Sequence, residues 1–228
     1  MANFDRSAKP SNEWTDNELL SYNIRVVDVD ADVFFKTSKL PPPSASDTIL
    51  NNVDKPDGPL AKDDRQFFQY MKLVEMQGYS ESRVTDFAAF ILRILNYDDG
   101  DRIIRQRGGI SLQMFGELVD SKIDLCLMDK NDTEFLLLIH ENKVSVPCSI
   151  NPLLTNYGKG MGLINPEPQV IAECIAAYYI DDLRHMRTNY PKSRYIPAIT
   201  MTGTTPVFYC VPVTVALLTA LEIGRAHV

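Results

Sequence analysis

The first part of the chain that shows a clear apolar pattern has the period of a helix. Apolar residues recur at helical spacing over 65–76 and again over 83–96. In the second segment they follow the i, i+3, i+4, i+7 rule, and Ser82 stands where an N-cap is expected. The pattern therefore predicts two amphipathic helices, with an Asp-Asp-Gly turn at 98–100 after them.

Beyond that turn the period changes from 3.6 to 2, which is typical of strands. The apolar run at 135–139 indicates a strand covered on both faces. A helix is predicted from Pro166 to about Met186, and another begins near Thr214. The predicted strands are 110–115, 122–128, 134–144, 195–200 and 207–211. The order of helix, three strands, helix and two strands predicts an α/β fold with a central mixed sheet flanked by helices.

The first 64 residues read as an N-terminal extension that is partly disordered. Residues 22–30 alternate apolar and polar, which predicts a short strand, and 31–35 suit one helical turn. Prolines and few apolar residues between 39 and 64 predict a linker. The Leu-Pro-Pro-Pro-Ser run at 40–44 leaves open a role as a docking segment in a larger assembly. The folded domain is expected to span 65–221.

The last seven residues, Glu222 to Val228, resemble a translated sequencing adapter. A helix that begins near Thr214 and stops without a C-cap would agree with this interpretation. We therefore expect that the natural protein continues past Leu221, and that 222–228 is a non-native tail on a truncated C-terminus.

Composition narrows the class of protein. Hydrophobic residues make up 45% and charged residues 23%, as in ordinary globular domains. A net charge of −7 does not favour non-specific binding to phosphate backbones. The start of the chain has no apolar signal region, and the longest apolar run, 207–221, is interrupted by Pro212. These features predict an intracellular protein, cytoplasmic or nuclear, that is not inserted in a membrane. The four cysteines are spaced too widely for a zinc motif and are expected to be free thiols.

Candidate chemistry lies on the second and third predicted strands. Asp124 is the sole charge inside an apolar strand, and the third strand ends in Ile-His-Glu-Asn-Lys at 139–143. With period 2, Glu141 and Lys143 point to one face and His140 to the other. A hairpin that pairs the strands would bring Asp124 beside Glu141. Two carboxylates can hold Mg²⁺ or Mn²⁺, and a nearby ammonium can stabilise developing charge on a phosphate.

Asp124 followed by Glu141-Asn-Lys143 resembles the motif of the PD-(D/E)XK nuclease superfamily, over a core of about 82–212. Ile123 replaces the proline of that motif. The resemblance implies a restriction-endonuclease-like core and a Mg²⁺-dependent nuclease, with Asp124 and Glu141 as metal ligands and Lys143 as a catalytic residue. It also implies that the next helix presents Gln169 to the site, so the predicted catalytic residues are four: Asp124, Glu141, Lys143 and Gln169. Glu173, one turn further on that helix, and Asp86, an acid on the first core helix, are further candidates.

Three segments of the chain, near 22–26, 166–173 and 196–209, are similar to an expanded family of basidiomycete fungal proteins. The similarity covers about 19–221. It implies the fold and a fungal source, and it carries no activity with it.

Each candidate also has a purely structural interpretation. In this interpretation a surface ion pair at a strand end explains Asp124, Glu141 and Lys143. Gln169 and Glu173 would then lie on the solvated side of a helix. Asp86 is explained by the helix dipole, and His140 by a structural role. Two basic stretches either contact phosphates or are solvated loops. They are Arg102, Arg105 and Arg107 with Lys122, and Arg184, His185, Arg187, Lys192 and Arg194.

Two functions follow from these alternatives. The first is hydrolysis of phosphodiester bonds in DNA or RNA. The second is a catalytically inactive module that keeps the nuclease fold and binds protein or nucleic acid, which the acidic composition favours.

Overall fold

The structure is a computed structural model that describes residues 7–76, 82–131, 134–141, 165–185 and 190–224, with Glu141 described through its backbone alone. A short 3₁₀ helix, Ser11–Glu13, comes first. The α-helices are α1 (Asp16–Ser21), α2 (Ala31–Phe35), α3 (Asp47–Asn51), α4 (Lys62–Glu75), α5 (Ser82–Ile94), α6 (Glu167–Arg184) and α7 (Val215–Ile223). The strands are β1 (Arg102–Met114), β2 (Glu117–Asp129), β3 (Phe135–Glu141), β4 (Ser193–Thr202) and β5 (Thr205–Thr214).

The five strands form one mixed sheet in the order β1-β2-β3-β4-β5. Strands β1, β2 and β3 pair antiparallel, β4 pairs parallel to β3, and β5 pairs antiparallel to β4. A parallel pair needs a crossover connection, and α6 supplies the helix of the one between β3 and β4. The predicted α/β class, with a mixed sheet flanked by helices, is confirmed.

Helices cover both faces of the sheet. The larger core lies between the sheet and α6, and the smaller one lies between the sheet and α4 and α5. Neighbouring residues of β3 divide between them, because Leu138 packs toward α6 and Ile139 toward α5. Each such fully buried side chain contributes roughly 1.5–3 kcal/mol of transfer free energy. The apolar run at 135–139 thus lies in a strand covered on both faces, as its pattern predicts.

The first strand begins at Arg102, eight residues before the sequence pattern predicts it. Arg102 pairs with Asp129, and Arg105 and Arg107 are exposed residues of this edge strand. The interpretation of the first basic stretch as a loop is therefore wrong. Apolar alternation fails to reveal this half of β1 because an edge strand keeps many side chains in solvent.

The strand predicted at 22–30 is not formed, since residues 22–23 lie in a turn and residues 24–30 belong to no helix or strand. Ile24 packs against the larger core, whereas Val27 is exposed, so the alternation reflects one anchoring contact rather than a sheet. The helical turn at Ala31–Phe35 is confirmed.

The linker is more ordered than its proline content predicts. It contains α3, which Ser46 caps by accepting a hydrogen bond from the Ile49 backbone, and the same hydroxyl bonds to the buried Asp64. These contacts join the linker to the first turn of α4.

The last helix begins where predicted and is capped at both ends. Thr214 accepts a hydrogen bond from the Leu217 backbone, and Gly224 adopts a left-handed conformation with φ of 67°. A left-handed glycine is the common way to end a helix, so the expectation of an uncapped end is wrong. Within the described residues, no helix has the length and apolar character needed to cross a bilayer.

Candidate functional site

Strand β2 turns over at Asp124. Ile123 packs in the α6-side core, whereas Leu125, two positions on, packs in the α5-side core. Alternate residues of a regular strand share a face. Asp124 therefore sits where the strand exchanges its two faces, which places it between the layers rather than within one of them.

The neighbouring strand β1 turns over at the matching position. Ile104 packs toward α5 and Ile110 toward α6, and Arg107 between them has a left-handed φ of 56°. The ladder pairs Gln106 with Leu125 and Gly108 with Ile123, so its register leaves Arg107 opposite Asp124 without a ladder pair. The register is the same on both sides of this position, so the irregularity is a local twist without an inserted residue, and it redirects the side chains of both strands.

The pairing of β2 with β3 ends immediately before Asp124. The last pair is Leu125 with Ile139, and the next residues, Asp124 and His140, lie beyond it. Asp124 keeps 37% of its side chain exposed. It also lines a small gap with Thr85 of α5.

His140 lies at the centre of the polar side chains in this region. Its Nδ1 is 3.3 Å from Oδ2 of Asp124 and 3.3 Å from Oε1 of Glu173. Gln169, one turn earlier on α6, donates a 3.1 Å hydrogen bond from Nε2 to the same Glu173 oxygen. A polar chain thus runs from α6 through β3 to β2.

Glu173 is fully buried, which is unusual for a carboxyl group. Burial raises its pKa, and the nearby Asp124 charge raises it further, while His140 and Gln169 oppose the shift. Its Oε2 atom has no hydrogen-bond partner within the described part of the chain. The interpretation of Glu173 as the solvated side of a helix is therefore wrong, and Gln169 is half-buried.

The structure brings together two of the four predicted catalytic residues. Asp124 and Gln169 belong to the same polar chain, with Glu173 and His140 between them. The backbone of Glu141 ends β3 and pairs with Met201, whereas its side chain lies outside the described part of the protein. Lys143 also lies outside it, so the ligand pair Asp124 and Glu141 stays a prediction. Among the described side chains, no group of three or more His, Cys, Asp or Glu residues is arranged to hold a metal ion.

Sequence reasoning missed the position of His140. The alternation predicts that it faces away from Glu141, but the register brings it to Asp124. The predicted turn at 129–133 does not give this contact, because counting outward from its centre places Asp124 opposite Leu138, whereas the observed pairing of Leu125 with Ile139 places His140 next to Asp124. The other candidate, Asp86, is exposed on α5, in keeping with its structural interpretation.

A second buried polar cluster lies at the opposite end of β3. Asp181 of α6 is fully buried, and its Oδ2 accepts hydrogen bonds from the Phe135 backbone at 3.0 Å and from Arg194 at 3.1 Å. Arg194 also donates to the Phe135 carbonyl at 2.7 Å and lies 2.7 Å from Glu134. Arg184 is 3.8 Å from the second Asp181 oxygen. Two residues of the second basic stretch therefore stabilise a buried carboxylate, so the interpretation as a solvated loop is wrong for them.

A groove of about 680 Å³ lies elsewhere on the protein. One wall is the segment after α1, and the other is formed by β5 and the first half of α6. Neither Asp124 nor Gln169 is among its described lining residues, so its volume does not bear on the candidate site.

Comparison with known proteins adds little to this geometry. No family model and no curated protein matches the sequence. The crystal structure of SSO0001 is similar with a TM-score of 0.30 and 12% sequence identity, over 72% of this chain and 68% of that one. Similarity at this level supports no argument about fold or function.

Proposed function

We propose that the protein is a nuclease that depends on Mg²⁺ or Mn²⁺ and hydrolyses phosphodiester bonds in DNA or RNA. Asp124 and Glu141 are the proposed metal ligands, Lys143 stabilises charge on the substrate, and Gln169 positions the groups around it. The observation that carries the proposal is the convergence of β2, the end of β3 and the start of α6 at Asp124.

The position of Asp124 supports a role in binding a cation. It stands between the buried Ile123 and Leu125 of β2, and it lies beyond the last β2–β3 pair, partly open to solvent. Glu141 follows Ile139 by two positions on β3, and Ile139 lines the same gap as Asp124. Carboxylate oxygens are the ligands that Mg²⁺ prefers.

The placement of the two acidic residues on the elements also supports the proposal. The sequence resemblance implies that they stand on consecutive strands after a helix, and Asp124 and Glu141 lie on β2 and β3, which follow α5. Fold alone does not establish an activity, so the weight of the proposal rests on the site residues.

The chemistry divides between the cation and the protein. A bound Mg²⁺ would acidify a water molecule and neutralise charge on the phosphate. The protein would orient the phosphate, and Arg107 and Lys122 are exposed cations on β1 and β2 near Asp124 that suit this task. These two residues offset locally the net charge of −7 that disfavours nucleic acid elsewhere on the surface.

A cleavage assay tests the activity. The protein is incubated with end-labelled single- and double-stranded DNA and RNA in Mg²⁺ or Mn²⁺, beside Asp124→Asn, Glu141→Gln and the control Asp120→Asn. Asp120 is a carboxylate on the same strand that bonds to Ser111 on β1. Cleavage by the parent and the control, lost in the two site variants, supports a nuclease. A parent that cuts no substrate, or variants that cut as well as the parent, would overturn it.

One observation favours the inactive binding module instead. His140 lies between the two described carboxylates, Asp124 and Glu173, so both already interact with a protein group. Oligonucleotide binding that is independent of divalent metal and is followed by no cleavage would favour this second function.

A further inference from the structure

The β-ladder does not fix the orientation of Asp124. Its β1 neighbour, Arg107, is missing from the ladder, and pairing with β3 has already ended at Leu125. A side chain that is 37% exposed at such a position would ordinarily sample several rotamers. Another contact must hold the carboxylate if it is to have one orientation.

His140 supplies that contact from a rigid base. It lies on the central strand β3, keeps only 7% of its surface exposed, and stands opposite the buried Thr200 of β4. Its Nδ1 reaches Asp124 and Glu173 at the same 3.3 Å distance. Both of these neighbours are carboxylate oxygens within ion-pair distance, so a proton on Nδ1 would allow the ring to interact with either of them.

The position of Glu173 is unfavourable for a carboxyl group. It is fully buried in the face of α6 that packs on the sheet, where an apolar residue would cost nothing in desolvation. Its Oε1 receives the Gln169 amide at 3.1 Å and faces His140, while Oε2 lacks a partner among the described residues. Because buried polar groups are normally hydrogen-bonded, a fully buried carboxyl group at this position calls for an explanation, and the contact with His140 supplies one.

We propose that His140, oriented by Glu173, is a positioning residue that fixes the carboxylate of Asp124. Gln169 completes the arrangement by holding Glu173 in place on α6. This inference rests on the proposed function only for its consequence, which is that Asp124 is presented to a cation in one orientation. The contact between His140, Asp124 and Glu173 does not depend on a metal.

Loss of the contact between Glu173 and His140 is expected to lower metal affinity, as loss of a group that orients a metal ligand does. Groups that orient metal ligands by hydrogen bonds typically change metal affinity by about 10- to 100-fold when they are removed. Glu173 would not touch the cation, so a loss of affinity in Glu173→Gln would report on orientation rather than on lost coordination.

Nuclear magnetic resonance of the histidine rings tests the contact without any metal. The chain has three histidines, so a ¹⁵N-histidine-labelled sample gives few ring signals, and His140→Asn assigns the relevant one. Asp124→Asn and Glu173→Gln are each expected to shift the Nδ1 signal of His140, and Asp120→Asn is expected to leave it unchanged. A His140 signal that is insensitive to either site variant would overturn the proposal.

Titration with Mn²⁺ tests the consequence. Glu173→Gln is expected to weaken Mn²⁺ binding about tenfold or more, and His140→Asn is expected to retain more affinity than His140→Ala, because the Asn amide can replace the Nδ1 donor. Equal affinity in the parent and Glu173→Gln would overturn the positioning role. A parent that binds no Mn²⁺ would instead refute the metal site, and the ring signals would then decide whether His140 holds Asp124.

Discussion

Ile123 and Leu125 are separated by one residue on β2, yet they pack on opposite faces of the sheet. Alternate residues of a regular strand share a face, so the strand turns over at the residue between them. That residue is Asp124, and Arg107 of the neighbouring strand takes a left-handed conformation opposite it. The Asp124 carboxylate, between two buried apolar residues, is thereby brought to the border of both layers.

The left-handed conformation of Arg107 predicts that glycine is tolerated there. Non-glycine residues in this region cost roughly 1–2 kcal/mol, so Arg107→Gly is expected to leave the free energy of unfolding equal to the parent's or up to about 1 kcal/mol higher. Urea denaturation measures this difference. Arg105→Gly, on the same strand, is the matched control and is expected to destabilise by roughly 0.5–1 kcal/mol. Equal destabilisation by both variants would mean that the turn-over is not strained at Arg107.

Much of this fold could be predicted because its central elements are strongly periodic. The buried strand β3 and the helices α5 and α6 carry uninterrupted apolar patterns, and the structure places all three within a few residues of their predicted bounds. The outer half of β1 could not be predicted, since Arg105 and Arg107 lie exposed on an edge strand whose partner is supplied by the tertiary structure. The strand predicted at 22–30 is wrong for the opposite reason. That segment alternates apolar and polar residues, but it pairs with no strand in the described part of the chain.

The buried Asp181 predicts a dependence of stability on pH. Burial raises its pKa from 3.8 to about 6, although the Phe135 backbone, Arg194 and Arg184 oppose the shift. The native state therefore binds this proton more tightly than the unfolded state does. Relative to Asp181→Asn, the free energy of unfolding is expected to fall as pH rises from about 4 to about 6, by no more than about 3 kcal/mol, and to be constant outside that window.

Urea denaturation of the parent and Asp181→Asn at half-unit intervals between pH 3.5 and about 7.5 measures this difference. Asp182→Asn, the next residue on α6, is the control and is expected to leave the pH dependence of the parent in place. A difference between the parent and Asp181→Asn that rises with pH would contradict the direction of the shift.

Arg194 is expected to be the most sensitive position of the same cluster. Its guanidinium contacts the Asp181 carboxylate, the Glu134 carboxylate and the Phe135 carbonyl. Removing one partner of a buried ion pair costs about 3–5 kcal/mol, because the remaining charge is left without compensation. Arg194→Met is therefore expected to destabilise by about 3 kcal/mol at pH 7.5.

The destabilisation caused by Arg194→Met should be smaller at pH 4.5, where Asp181 is largely protonated. Chemical denaturation at the two pH values measures the difference, and Arg93→Met, an exposed arginine on α5, is the control expected to change stability by less than about 0.5 kcal/mol. A cost for Arg194→Met that is independent of pH would show that Asp181 is not its main partner.

The sequence predicted some of the residues of the candidate site, but it did not predict how those residues are arranged. Asp124 stood out because it is a lone charge in an apolar strand, and Gln169 because the family resemblance pointed to the following helix. The alternation of β3 shows only that His140 and Glu141 face opposite sides of the strand. The contact of His140 with Asp124 depends on the register between β2 and β3, which the alternation does not give. The burial of Glu173 could not be predicted from the helix pattern, since almost every side chain of α6 between 170 and 182 is buried.

The most direct test of the proposed function is calorimetric titration of Mn²⁺ and Mg²⁺ into the protein and into Asp124→Asn, Glu141→Gln and the control Asp120→Asn. The parent and Asp120→Asn are expected to bind the cations, and both site variants are expected to lose this binding, because each removes one of the two carboxylate ligands. Binding that persists in Asp124→Asn, or a parent that binds neither cation, would contradict the assignment of Asp124 and Glu141 as a metal site.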